Sequence, residues 1–274
     1  MKIKKGDIVG RNSYGKDILF IVERIIRTNA NNEICILKGL TERIKADAPI
    51  EDLEVIDKVI VDKHMHCLEE RIAKRIKSIN TQINNKRNSR IYTGVILHLD
   101  GDKKYSEKSA KYYKELGLNA IVKNIAESKQ ARIVRVLLER YKPDILVITG
   151  HDAMIKNGRN FNDIYNYRNS KYFMDTVIEA RKWEQQTGKD LVIFAGACQS
   201  FFEAIMSCGA NFASSPARIL IDFIDPLIVA EKVATTSSYK YITINEIAGE
   251  LRDGQRGIGG SGAMRKKESN TSVI

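Results

Sequence analysis

Three runs of almost uninterrupted apolar residues constrain this chain most: YTGVILHL at 92–99, DILVIT at 144–149 and DLVIFA at 190–195. Strands that do not alternate apolar with polar side chains are buried on both faces, the habit of parallel sheets covered by helices. Helical spacing fills the gaps between them. Ser106–Leu116 reads as a helix, as does the amphipathic Lys129–Arg140 with Ile133, Val136, Leu137 and Arg140 at helical spacing. Lys171–Gln186 reads as a helix stopped by Gly188, and Phe201–Met206 as one ending near Gly209. A short strand is expected at Asn119–Asn124, with further elements at Arg218–Phe223, Asp225–Ala234 and Tyr241–Thr243. Residues 91–251 are therefore expected to form an α/β domain with a mostly parallel sheet and flanking helices.

The flanking segments differ in character. Residues 1–59 hold short β-rich runs (Ile8–Gly10, Ile18–Val22, Glu33–Leu37, Leu53–Ile56) between polar turns at Asn12–Lys16 and Asn29–Asn32. That spacing predicts a small barrel of the SH3 or KOW kind. Residues 60–90 read as a basic helix and linker, with helical spacing from His64 to Ser78. Eight Lys/Arg against three Asp/Glu in 61–90 (8 − 3 = +5) supply nearly half of the chain's net +11. Residues 252–274, with Gly257, Gly259, Gly260 and Gly262, read as a flexible, Gly-rich basic tail in which Arg252, Arg256 and Arg265 are candidate self-cleavage sites. The glycines follow no expected strand and open no helix, so they make a poor phosphate loop.

Composition excludes several classes. With 43% hydrophobic residues the chain is not disordered, and four Cys in 274 residues do not make a disulfide scaffold. No run approaches the roughly 18 apolar residues of a bilayer span. The basic N-terminus lacks an apolar segment behind it, so no signal peptide is expected, and the protein is expected in the cytoplasm with reduced thiols.

Functional groups in such sheets gather at the carboxyl ends of strands. The first run ends Asp100-Gly101-Asp102, the second Gly150-His151-Asp152, the third Gly196-Ala197-Cys198-Gln199-Ser200. A thiolate attacks carbonyls, and an imidazole takes its proton or protonates a leaving amine. At the turn into a helix, the dipole is expected to lower the Cys198 pKa while free N–H groups hold an oxyanion. Caspase-type sites place Gln-Ala-Cys about 50 residues after the histidine. Here Ala197-Cys198-Gln199 follows His151 at a spacing of 198 − 151 = 47 residues. The remaining candidates are weaker. Cys208 has no neighbouring histidine, Cys35 falls in a core strand, and His98 reads as packed. His64, His66 and Cys67 lack a second ligand pair for a structural zinc site.

The strand–Gly150-His151-Asp152 and strand–Gly196-Ala197-Cys198-Gln199-Ser200 motifs, behind a small basic β domain, resemble the YabG family of sporulation peptidases over essentially the whole chain. The resemblance implies a cysteine endopeptidase of caspase-like and clostripain-like fold. It implies expression in the mother cell, association with the spore coat, and processing of coat and germination proteins next to Arg. Catalytic roles carry over to Cys198 and His151, with no cofactor and no metal. The wider group usually has Gly directly after the histidine, where this chain has Asp152. The Asp152 N–H still serves an oxyanion, its carboxylate is a candidate for orienting His151, and Gly150 belongs to the same turn. An arginine pocket needs a carboxylate. Asp100 is preferred because its strand end borders the same crevice, with Asp102, Asp222, Asp225 and Ser214 as further candidates. Two other readings stand beside this one. The first is a nucleic-acid- or spore-surface-binding protein on a non-catalytic scaffold. The second is an amidotransferase-like hydrolase of small amides.

Overall fold

The computed structural model describes residues 2–27, 32–85, 93–155 and 160–265. The turn expected at Asn29–Asn32, the polar stretch at 86–90, the strand start at Tyr92 and the tail at 266–274 fall wholly or partly outside these residues. The N-terminal unit is an antiparallel sheet of five strands, β1 (Ile8–Arg11), β2 (Leu19–Arg27), β3 (Glu33–Gly39), β4 (Lys45–Pro49) and β5 (Leu53–Val55). Its order is β4-β3-β2-β1-β5, so β4 and β5 are the two edges of the ladder. Val9, Phe20, Val22, Cys35 and Leu37 turn one face inward. The sequence reading lacked β4. Its Lys-Ala-Asp-Ala-Pro run carries none of the β-branched side chains that signal a strand.

The long helix α1 (Lys58–Asn85) follows. It is not merely a solvated connector. Arg71 pairs with Asp222, and Arg75 pairs with Glu231 and Glu250, fastening the helix to the second unit. Two of the cations behind the linker's charge excess are thus paired with carboxylates of this chain.

The second unit runs β6 (Ile96–Asp100), α2 (Lys103–Glu115), β7 (Ala120–Asn124), α3 (Glu127–Tyr141), β8 (Ile145–Thr149), α4 (Ser170–Thr187), β9 (Val192–Ala195), α5 (Phe202–Ser207), β10 (Phe212–Ser214) and α6 (Asp225–Thr235). It closes with β11 (Tyr241–Ile242), α7 (Ile244–Ala248), β12 (Ile258–Gly260) and β13 (Ala263–Met264). The central sheet has the order β12-β10-β9-β8-β6-β7. Its ladders are parallel except at β12, which pairs antiparallel to β10. Alternate residues of each strand feed opposite faces. Ile145 and Val147 pack with α2, α6 and the N-terminal sheet, while Leu146 and Ile148 pack with α3, α4 and α5. Burial on both sides is why these strands are apolar throughout. The core on the first face continues into the N-terminal sheet through Ile44, Leu37 and Phe20. Gly188 closes α4 in the left-handed conformation, φ 69°.

Two readings of the sequence are corrected. The segment at Arg218–Phe223 has no regular structure, although Ile221, Asp222 and Phe223 are buried. Residues 252–265 are not a flexible tail, because they supply β12 and β13. Their glycines answer close packing: a Cβ at Gly259 would lie 2.7 Å from the Phe202 ring, and one at Gly262 2.7 Å from the Ile242 carbonyl oxygen. Arg265 is buried and donates to the Thr236 carbonyl at 3.0 Å, so it is poorly placed for cleavage.

Candidate active site at the carboxyl ends of the strands

β6, β8 and β9 are adjacent and parallel, so Asp100, His151 and Cys198 converge at one end of the sheet. All three are fully buried. His151 follows Gly150, above which lies the carboxylate of Glu127, the first residue of α3. Glu127 accepts the His151 N–H at 2.8 Å and covers Gly101 and Gly150 so closely that a Cβ on either would collide with it. The imidazole packs at 5.5 Å between ring centroids from Tyr105, and neither of its nitrogens has a hydrogen-bond partner. Burial lowers its pKa to about 3, and the Lys38 charge adds to that effect.

Cys198 lies in a turn four residues before α5 (202 − 198 = 4), not at the helix start. Its sulfur accepts the Ile221 N–H at 3.4 Å, and the Arg43 N–H also points to it. The lowered pKa expected from a helix dipole is not what the site produces. Burial dominates and pushes the thiol up to about 12. Thiol and imidazole are therefore both neutral in this closed arrangement. At pH 8, iodoacetamide should label native Cys198 at least about a hundredfold more slowly than the unfolded chain, since the thiol is both covered and protonated. Mass spectrometry of the Cys198 peptide reads this out. Equal rates in both states would refute the burial.

Asp152 has a role that the sequence reading did not assign. Its carboxylate does not orient His151. One oxygen accepts from the backbone of Ala153 at 2.9 Å and Asn169 at 2.8 Å. The other accepts from Ser170 and, at 2.9 Å, from Ser200, whose oxygen in turn accepts the Ala197 N–H at 2.9 Å. One carboxylate thus ties the histidine turn, the start of α4 and the cysteine turn together. Burial raises its pKa to about 6 despite these bonds. The cysteine turn also needs Gly196 at φ 113° and Gln199 at φ 55°.

The candidate arginine-pocket residues separate clearly. The Asp100 carboxylate pairs with the buried guanidinium of Arg43 and accepts from Thr149 Oγ1 at 2.9 Å and the Asp102 N–H at 2.8 Å. Burial pushes the Asp100 carboxyl up, but the Arg43 charge and the bonds from Arg43 and the Asp102 N–H outweigh it and hold it below the ordinary value. Below it, His98 bonds Thr149 at 2.7 Å and Tyr113 at 3.2 Å, the packed role expected of it. Asp102 caps α2 through the Tyr105 N–H at 3.0 Å and pairs with Lys38. Asp222 faces α1 through Arg71, and its N–H bonds Asp225 at 3.0 Å. Ser214 is buried beside Gly196, where a Cβ would lie 3.1 Å from it, and its hydroxyl has no partner. Sequence reasoning missed Glu127 and Arg43. The only local signal for Glu127 is an acidic residue in the first turn of a helix that starts two residues before the apolar spacing does.

The arrangement is that of an α/β protein whose polar crevice lies at the carboxyl ends of parallel strands. Residues 4–269 match the family model described as YabG peptidase U57, and the chain belongs to that peptidase family. It is 36% identical over 278 residues to a Bacillus subtilis (strain 168) protein named sporulation-specific protease YabG, covering 95% of this chain and 94% of the relative. Among the described residues no helix is long and apolar enough to cross a membrane.

Proposed function

We propose that this protein is a caspase-like cysteine endopeptidase of sporulation, with an SH3-like N-terminal unit, cleaving spore coat and germination proteins after arginine in the mother cell or at the coat. The observation that carries this reading is the convergence of His151 and Cys198 at the ends of adjacent parallel strands, beside a carboxylate that already holds a guanidinium.

In the proposed mechanism the Cys198 thiol gives its proton to His151 as the sulfur attacks the scissile carbonyl. The N–H groups of Asp152 and Cys198 hold the developing oxyanion. His151 then protonates the leaving amine, and an acyl-thioester remains on Cys198. Water, deprotonated by His151, hydrolyses the thioester and restores the thiol. Asp100 reads the arginine that precedes the scissile bond. A cavity of about 690 Å³, lined among others by Ile44, Ala153, Met154 and Gln199, gives room for residues beyond that bond. The internal pairing of Arg71 and Arg75 weakens the alternative of a nucleic-acid-binding helix.

The test is digestion of a basic, coat-like protein, with products mapped by mass spectrometry. The wild type should cut after Arg, and folded Cys198→Ala and His151→Ala should be slower by at least about a thousandfold. Undiminished cutting by Cys198→Ala would remove this site from the reaction.

A further inference from the structure

The crevice is not empty. The loop from β3 to β4 enters it, with Leu40, Thr41, Arg43 and Ile44 buried. The loop is a tight one: the Gly39 N–H donates to the Ile44 carbonyl at 2.9 Å, and a Cβ at Gly39 would collide with the Glu42 carbonyl oxygen. Its tip is held by the residues assigned above to the site. The Arg43 guanidinium pairs with Asp100, and its central carbon lies 4.7 Å from the Tyr105 ring centroid and 5.2 Å from that of Phe223. The Arg43 carbonyl accepts the Asp152 N–H at 3.2 Å, the donor assigned above to the oxyanion. The Arg43 N–H points to the Cys198 sulfur. Beyond it, Ile44 pairs in parallel with Asp152, and the Lys45 N–H donates to the Asp152 carbonyl at 3.1 Å.

An arginine buried 57 residues in sequence from its carboxylate partner is an expensive device for stability alone. The guanidinium leaves Nε and Nη2 without partners, so the site does not satisfy this arginine completely. With the loop in place, neither Cys198 nor His151 has any exposed surface, and another chain has no route to them.

We propose that Arg43 is an intramolecular stand-in for the substrate arginine: the β3–β4 loop lies in the cleft as a bound peptide does, Tyr105 and Phe223 wall the arginine subsite, and the loop withdraws when a substrate enters. This rests on the reading of Cys198, His151 and Asp100 given above. The subsite combines a carboxylate floor with two aromatic faces, which suits the flat guanidinium better than an ammonium. The loop and an incoming arginine peptide compete for one site, so the apparent affinity for substrate falls by the fraction of molecules that are open.

The experiment uses the full chain, an arginyl-aminocoumarin peptide, and iodoacetamide labelling of Cys198 in wild type, Arg43→Ala and Arg43→Gln. If one molecule in ten or fewer is open, removing the competitor raises kcat/KM by roughly tenfold or more, and labelling speeds up in parallel. A wild-type cut between Arg43 and Ile44 that Cys198→Ala abolishes, with a rate constant independent of protein concentration, also supports the proposal, since a cut within one molecule requires the loop to lie in that molecule's own cleft. Should both variants fail to fold, the wild type carries the test. A peptide arginine aldehyde bound at Cys198 should displace the loop and expose the Lys45 amide to hydrogen exchange. If wild type turns over the peptide while both folded variants match it in turnover and labelling, or if the aldehyde leaves Lys45 protected, the loop is a fixed part of the fold and the proposal falls, with the peptidase reading intact. Faster labelling with no turnover in any variant would sink both the arginine subsite and the peptidase reading.

Discussion

Replacing Asp100 by Asn is expected to reduce the preference for arginine over norleucine at the cleavage position by roughly a hundredfold to a thousandfold, about 3–4 kcal/mol of transition-state binding. The reason is the local environment. Asp100 is fully buried at the end of β6, and its carboxylate is kept ionised by a guanidinium, a threonine hydroxyl and a backbone N–H. Asn keeps the shape but brings no charge, and an arginine entering that site would be desolvated without compensation. The ratio of the two substrates is the right measure. The substitution also loosens the Arg43 loop, and loop release scales the turnover of both peptides alike. An unchanged ratio would assign arginine recognition to another group. Asp102 and Asp222 are less suited, because Lys38 and Arg71 already engage them.

Exchange of Asp152 for Ala should act on both stability and turnover. Four donors lose their acceptor: the Ala153 and Asn169 N–H groups and the Ser170 and Ser200 hydroxyls. The hydroxyls can turn to other partners, but the backbone donors cannot, so a loss of about 2–4 kcal/mol is expected at pH 7. Turnover should fall by about a hundredfold, since Ser200 no longer fixes the cysteine turn and a displacement near 1 Å carries a penalty of that order. Chemical denaturation adds a signature specific to this group. Its pKa rises from the usual 3.8 to about 6 in the folded protein. The stability gained by protonating it is complete below about 3.8 and is lost as the pH rises through 6. Between pH 7 and 5 the wild type should therefore gain stability relative to the variant. A constant difference across that window would contradict the burial of an ionised Asp152.

How much of this was legible in the sequence depends on the range of the contacts. His151 and Cys198 stood out because each ends a continuous apolar strand, and parallel topology sets both at the same end of the sheet. The helices announced themselves through apolar spacing and Gly188. Contacts made across the fold left no such mark. Glu127 lies 24 residues before the N–H it accepts, and Arg43 lies in another unit from Asp100. The thiol pKa was misjudged because a dipole argument needs only sequence position, whereas desolvation needs the third dimension. The glycines at 257–262 looked like a mobile segment, yet at Gly259 and Gly262 the missing side chain makes room for Phe202, Pro216 and Tyr241.

That C-terminal strand also has a bearing on when the enzyme can first exist during its own synthesis. β12 is made 60 residues after Cys198 (258 − 198 = 60), and it completes the sheet on the far side of β10. Domains tend to fold as units while the chain emerges, N-terminal parts first. Here His151 and Cys198 appear well before the strand that finishes their platform, while the loop bearing Arg43 is already made. A nascent chain thus holds the loop bearing Arg43 from the outset and its finished sheet only after β12 is made.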